Sequence, residues 1–299
     1  MKYLKPYKIF ESNSDITKYI EKIKRDCQPF IKLMRKELGS EIDQWIKEID
    51  MFFTLENSGT VSDYLTFVET NDSEEVQILK GYWKTLGDER YQSIESNGIF
   101  YKSPFIFRGF GEGGSGLDNN DPYYTTFTEK DYSSREVDRK PLDMNLGTHK
   151  LLDEYFDKKF GVRLRSKGVF TSTWLLAKSY GIPFLFFPTG NFDYYWSPEV
   201  RDLYKAVDQT DWYDEIYNYP DNYDNSFLRL AMNDIKHLVG SYLKNERLGE
   251  GLETKDSILK GSREITFVCG KHYLLNANKS GKLNERDKFY IIKSVFQGQ

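Results

Sequence analysis

The chain has 299 residues, of which 39% are hydrophobic and 29% are charged, with a formal net charge of −4. This composition is typical of a globular protein with enough length for a substantial core, and it excludes intrinsic disorder. The acidic balance lacks the overall basic character of nucleic-acid-binding proteins, and two distant cysteines, Cys27 and Cys269, exclude a disulfide framework.

Membrane and metal signals are weak in this sequence. No run of about 18 apolar residues occurs, so we expect no membrane-spanning helix. The first residues are charged and lack the apolar stretch of a signal peptide, which predicts a cytoplasmic protein. The histidines His149, His237 and His272 are isolated from other metal-ligating residue types at ligand spacing, so we expect no metal site.

Apolar residues recur at helical spacing through the first part of the chain, which predicts a helical N-terminal subdomain over residues 1–97. One stripe begins at Ile16, and Pro29 is expected to start a fresh helical turn after it. Ser40 is expected to cap a second helix, and a third stripe covers residues 76–86. The charged residues between these positions alternate in sign and indicate solvated helix faces.

The pattern changes near residue 98, and we predict a second domain over residues 98–299. Strands are predicted at residues 99–101, 105–107, 162–164, 168–170, 184–187, 264–268, 273–275 and 289–296. One helix is predicted to end at Gly161 and another to cover residues 226–244, whereas residues 119–135 and 245–263 are expected to be irregular. Many short strands with few helices between them predict an α+β fold with largely antiparallel sheets.

Polar residues stand at the edges of three predicted strands, in the order arginine, serine–threonine, glutamate. Arg108 and Gly109 follow one apolar run, Ser172 and Thr173 end the run Val-Phe-Thr-Ser-Thr, and Glu264 opens a third run. Arginine offers a planar fork for a diphosphate, hydroxyls can hold a ribose, and a carboxylate can stabilise an oxocarbenium ion. Hydroxyls after a strand are also typical of ordinary turns and caps.

Together and in this order, these residues resemble the ADP-ribosyltransferase family over residues 98–299. The resemblance implies a split, largely antiparallel two-sheet domain that uses NAD⁺ as its ADP-ribose donor without a metal. It implies that Arg108, Ser172 and Glu264 form the catalytic set. Gly109 and Thr173 would join Arg108 and Ser172 in binding NAD⁺.

Two features bear on the acceptor and on the diphosphate. Ser262 stands two residues before Glu264, where arginine-modifying members of the family carry Glu, so Ser262 is expected to affect acceptor selection and arginine is not the expected acceptor. The run Arg-Glu-Val-Asp-Arg-Lys-Pro that begins at Arg135 resembles the entry motif of some toxin members. Arg135 and Arg139 therefore remain alternatives to Arg108 for binding the diphosphate.

The resemblance implies a mono-ADP-ribosyltransferase that acts as a toxin or effector of a bacterium or phage inside a cell. Its acceptor would be a macromolecule, with protein and RNA or DNA both open, and such a role would allow an antitoxin or immunity partner. Two alternatives stay open. One is an NAD⁺ glycohydrolase, in which water replaces the acceptor, and the other is a non-catalytic, phage-associated binding protein with the same fold.

Overall fold

The structure is a computed structural model, and it describes residues 13–57, 74–110, 127–131, 144–213, 225–252, 263–279 and 283–297. Helices and antiparallel strands are mixed in these ranges, which confirms the α+β class. Among the residues described, none of the helices combines the length and the apolar character that a membrane crossing requires.

The helices and strands follow one another along the chain with short connections. The helices are α1 Asn13–Asp26, α2 Gln28–Asn57, α3 Glu74–Leu86, α4 Asp88–Asn97, α5 Leu146–Phe160, α6 Leu164–Lys167, α7 Trp174–Ser179, α8 Leu203–Asp208, α9 Asn225–Gly240, α10 Leu248–Gly251 and α11 Glu285–Phe296. The strands are β1 Phe107–Phe110, β2 Phe127–Asp131, β3 Val169–Thr171, β4 Ile182–Pro188, β5 Phe192–Trp196, β6 Leu243–Lys244, β7 Ile265–Cys269 and β8 Lys271–Asn276.

The strands form two antiparallel sheets. The first sheet has the order β1-β4-β8-β2, and the second has the order β3-β7-β5-β6. A single bridge between Phe107 of β1 and Ser172, directly after β3, connects the two sheets. In this bridge the N–H of each residue donates to the carbonyl of the other, and both distances are 2.7 Å. The edge strands of the two sheets are therefore held side by side at this point.

The N-terminal helices and both sheets contribute to one buried apolar cluster. Phe30 of α2 makes edge-on ring contacts with Phe187 of the first sheet and with Phe192 and Phe267 of the second. Such contacts stabilise a core by about 0.5–1.5 kcal/mol each beyond simple area burial. A second buried cluster lies between α5, α8 and α9. Helix α2 therefore packs against both sheets at once.

Several predicted elements agree with the structure. Helix α5 begins after Asn145, whose side chain accepts the N–H of Thr148, and it ends at Gly161 in the left-handed conformation, as predicted. Strands β3, β4, β7 and β8 match predicted apolar runs to within a few residues. Helix α2 contains Pro29 in its first turn. Its backbone break falls at Leu38, so Ser40 lies inside the helix and does not cap a new one.

The prediction of a strand over residues 289–296 is wrong, because these residues belong to α11. The segment is rich in β-prone residues, but its local start signals favour a helix. The Asn284 side chain accepts the N–H of Asp287 at 2.8 Å, and the carboxylates of Glu285 and Asp287 lie in the first turn. Burial of one helix face outweighs intrinsic β-propensity here.

Four smaller predictions are also corrected. The run at 162–164 contains the start of α6 instead of a strand, residues 99–101 form turns, and residues 127–131 form β2 although they were expected to be irregular. The last predicted helix ends at Gly240, and residues 243–244 form β6. The long irregular segment contains α10. Polar residues on β2 conceal a strand whose partner, β8, is far away in the sequence.

Gly109 lies inside β1 and not after it, at a close approach between β1 and α7. A Cβ atom on Gly109 would lie 2.0 Å from the carbonyl oxygen of Ala177 and 2.8 Å from Cβ of Tyr180. The Ala177 oxygen belongs to the helix backbone and cannot rotate away as a side chain would. Only glycine allows β1 and α7 to approach this closely.

We expect Gly109→Ala to lower the free energy of unfolding by about 1–3 kcal/mol, because the added methyl group forces β1 and α7 apart. Gly81→Ala in α3 is the matched control, since a Cβ there meets nothing within 4 Å. The control should be neutral or stabilising by up to about 1 kcal/mol. Urea unfolding monitored by circular dichroism measures both changes, and equal free energies for the two variants would contradict the packing argument.

Candidate functional site

The hydroxyl residues at the end of β3 fasten the start of β7. Thr171 lies opposite Ile265 in the strand register, and its Oγ1 donates to the Ile265 carbonyl at 2.7 Å. Ser172 Oγ donates to the carbonyl of Arg263 at 2.7 Å. Both hydroxyl residues are buried. Because Glu264 stands between the two accepting residues, these bonds fix its backbone beside the end of β3.

Arg108 follows Phe107, the residue that bridges to Ser172, and is half-buried on β1. Its guanidinium lies 4.8 Å from the centre of the Phe110 ring. Burial raises the pKa of Cys269, in β7, to about 12, and the positive charge of Arg108 opposes this rise. The Arg108 charge therefore acts on a residue of the second sheet although Arg108 belongs to the first.

Glu264 is held between a loop and a helix. Its N–H donates to the carbonyl of Arg201 at 2.7 Å, which ties it to the segment that follows β5. Its Oε1 atom lies 3.7 Å from Nη1 of Arg165, and both side chains are more than four-fifths buried. Burial, followed by the charge of Glu264, raises the pKa of Tyr242 well above its usual value, and Arg165 opposes this effect. A carboxylate and a guanidinium therefore share a site that is largely shielded from water.

Arg165 was not among the predicted site residues. Its guanidinium stacks on the ring of Phe170 in β3, with its central carbon 4.3 Å from the ring centre. The sequence prediction missed it because residues 162–164 were assigned to a strand. The basic residues at 163, 165 and 167, directly before β3, are the signal that pointed to a charged group at this edge.

A buried carboxylate holds α6, the helix that carries Arg165. Asp153 of α5 accepts the backbone N–H of Arg165 at 2.7 Å and that of Ser166 at 3.3 Å. Its second oxygen accepts the Ser166 hydroxyl, and His149 Nε2 lies 3.2 Å from the same hydroxyl. Serine, histidine and aspartate thus meet, but the serine bonds directly to the carboxylate and is fully buried, unlike a hydrolytic nucleophile. This cluster anchors a helix start.

The structure connects the three predicted catalytic residues through short backbone links. Phe107, next to Arg108, bonds to Ser172, and Ser172 bonds to the residue before Glu264. Thr173 is buried and directly precedes α7.

Other predicted positions stand outside this connected set. Arg135, Arg139 and Ser262 lie outside the described residues. In the part of the chain that the structure describes, no group of three or more His, Cys, Asp or Glu side chains is arranged to hold a metal ion.

Comparison of the chain with protein-family models, with curated proteins and with solved structures gave no match. What the site does is therefore inferred from its own residues. It combines an arginine fork, a buried hydroxyl and a shielded carboxylate where two sheets meet. These groups suit an anionic, ribose-containing ligand that develops positive charge near the carboxylate.

We expect Asp153→Ala to lower the free energy of unfolding by about 2–4 kcal/mol, because it leaves buried N–H and O–H donors without their acceptor. Asp157→Ala is the matched control, since Asp157 is exposed one turn later on α5. The control should change stability by less than about 0.5 kcal/mol. Chemical denaturation gives both values, and a loss in Asp153→Ala no larger than in the control would rule out the anchoring role.

Proposed function

We propose that this protein is an NAD⁺-dependent mono-ADP-ribosyltransferase with a two-sheet catalytic domain. The observation that supports the proposal is the linkage of three residues by consecutive hydrogen bonds. Phe107, adjacent to Arg108, pairs with Ser172, and the Ser172 hydroxyl bonds to the residue before Glu264. The order of these residues resembles the family pattern, and their separate strands meet at one place.

The chemistry of ADP-ribose transfer matches these groups. The bond between nicotinamide and ribose breaks, and nicotinamide leaves as a neutral molecule because its ring is already cationic in NAD⁺. No general acid is needed, and the ribose becomes an oxocarbenium-like cation. A shielded carboxylate such as Glu264 stabilises that charge through its fixed position. The acceptor nucleophile then attacks the same ribose carbon and loses its proton.

The remaining residues have distinct roles in this proposal. Arg108 binds the diphosphate with its planar set of donors. Ser172 donates its own proton to the Arg263 carbonyl, so its oxygen lone pairs face a ribose hydroxyl as acceptors. The acceptor is a protein or a nucleic acid inside a cell, where the protein acts as a toxin or effector. Arginine is not proposed as the acceptor, because Ser262 supplies no base near neutral pH.

The proposal is tested by incubating the protein with NAD⁺ labelled in its adenylate part and with whole-cell lysate. We expect the label to appear on a macromolecule, and treatment with protease or nuclease identifies the class of acceptor. Free labelled ADP-ribose alone would assign the protein as an NAD⁺ glycohydrolase. Complete recovery of intact NAD⁺ would contradict both enzymatic assignments and favour a binding protein.

We expect Glu264→Gln to lower kcat for NAD⁺ turnover by about 100-fold or more, because the amide loses the charge that stabilises the transition state. The dissociation constant for NAD⁺ should change by less than about threefold, since the effect belongs to the transition state. Glu199→Gln is the control, because Glu199 is exposed and pairs with His237. Activity of Glu264→Gln within about tenfold of wild type, or about 1.4 kcal/mol, would remove Glu264 from this role.

We expect Arg108→Lys to weaken NAD⁺ binding by about tenfold or more, because an ammonium group cannot form the bidentate contact of a guanidinium. Titration calorimetry with Arg108→Lys, Arg135→Lys and Arg139→Lys identifies the residue that binds the diphosphate. If affinity falls only in the Arg135 or Arg139 variant, Arg108 is a structural residue of β1 and the assignment is wrong.

A further inference from the structure

The Arg165 side chain is confined on two sides. One face of its guanidinium lies on the Phe170 ring, and Nη1 lies 3.7 Å from Glu264 Oε1. The ring contact limits the rotation of a long side chain that would otherwise be mobile. Side-chain exposures of 13% for Arg165 and 14% for Glu264 keep the pair out of bulk water, where its attraction would be weak.

The distance between the two groups matters for function. It exceeds the range of a hydrogen bond, so the contact is an ion pair, and this Arg165 nitrogen does not occupy the Glu264 oxygen as a donor. A cation within about 4–6 Å favours the ionised form of a carboxylate. Arg165 can therefore restrain and stabilise the Glu264 carboxylate without taking the acceptor position that a ribose hydroxyl needs.

The support behind Arg165 is unusually rigid for such a short helix. Helix α6 has 4 residues, too few to hold its own orientation. The Asp153 carboxylate receives both the Arg165 N–H and the Ser166 N–H, and the anchoring residues Asp153 and Ser166 are at most 4% exposed. On the other side, Phe170 sits in β3, opposite Thr266 of β7. The same strand pair thus carries the Arg165 platform and Glu264.

We propose that Arg165 is a positioning residue that fixes the orientation and charge of the Glu264 carboxylate for its action on the NAD⁺ ribose. This role rests on the transferase function proposed above. Arg165 acts through Glu264 and does not touch the substrate, so its loss lowers the rate of the chemical step and leaves NAD⁺ binding in place.

The experiment measures kcat and KM for NAD⁺ in wild type, Arg165→Met and Arg165→Lys, with Arg163→Met as the matched control from the exposed start of α6. We expect Arg165→Met to lower kcat by about tenfold or more, with KM changed by less than about threefold. Arg165→Lys should recover part of the loss because it keeps the charge, and the control should behave as wild type. Arg165→Gln replaces the Met variant if that variant does not fold.

A double-mutant cycle with Glu264→Gln decides whether Arg165 acts through Glu264. We expect Arg165→Met to have almost no further effect on single-turnover rates once Glu264 has lost its charge. An equal loss in both backgrounds, or a rise in KM with unchanged kcat, overturns the positioning role and makes Arg165 an independent binding residue. Wild-type protein that leaves NAD⁺ intact overturns the transferase proposal itself, and the role of Arg165 with it.

Discussion

The bridge between Phe107 and Ser172 is the contact on which the site depends. Two reciprocal hydrogen bonds of 2.7 Å join an edge strand of one sheet to the end of an edge strand of the other. Without this contact, Arg108 and Glu264 would belong to separate sheets with no fixed relation. Because backbone bonds of this kind are short and directional, the bridge transmits position between the sheets with little freedom.

Each neighbouring interaction extends this constraint by one step. The Ser172 hydroxyl carries it to the backbone beside Glu264, and the glycine at 109 lets α7 pack closely on the bridged strand. Asp153 fixes the short helix that brings Arg165 to the carboxylate. These supports consist of buried side chains that bond to backbone, an arrangement that holds a functional group within the narrow limits that catalysis requires.

The sequence predicted the local features well where the signals are local. The cap at Asn145 and the stop at Gly161 bound α5, and apolar runs marked β4 and β8. It failed where distant residues decide. The β-prone run at 289–296 became helical because its start signals and its packing favour α11, and β2 exists because β8 offers a partner. Arg165 was missed for the same reason, since its importance comes from Glu264, which lies about a hundred residues further along the chain.

The most direct test of the site is a crystal structure of the Glu264→Gln variant grown with NAD⁺, because the variant should bind the dinucleotide without consuming it. We expect the diphosphate on the Arg108 guanidinium and the nicotinamide ribose between Ser172 and residue 264, with Arg165 still stacked on Phe170. NAD⁺ bound elsewhere on the protein, or no bound NAD⁺ at millimolar concentration together with a dissociation constant above that range in solution, would contradict the proposed site.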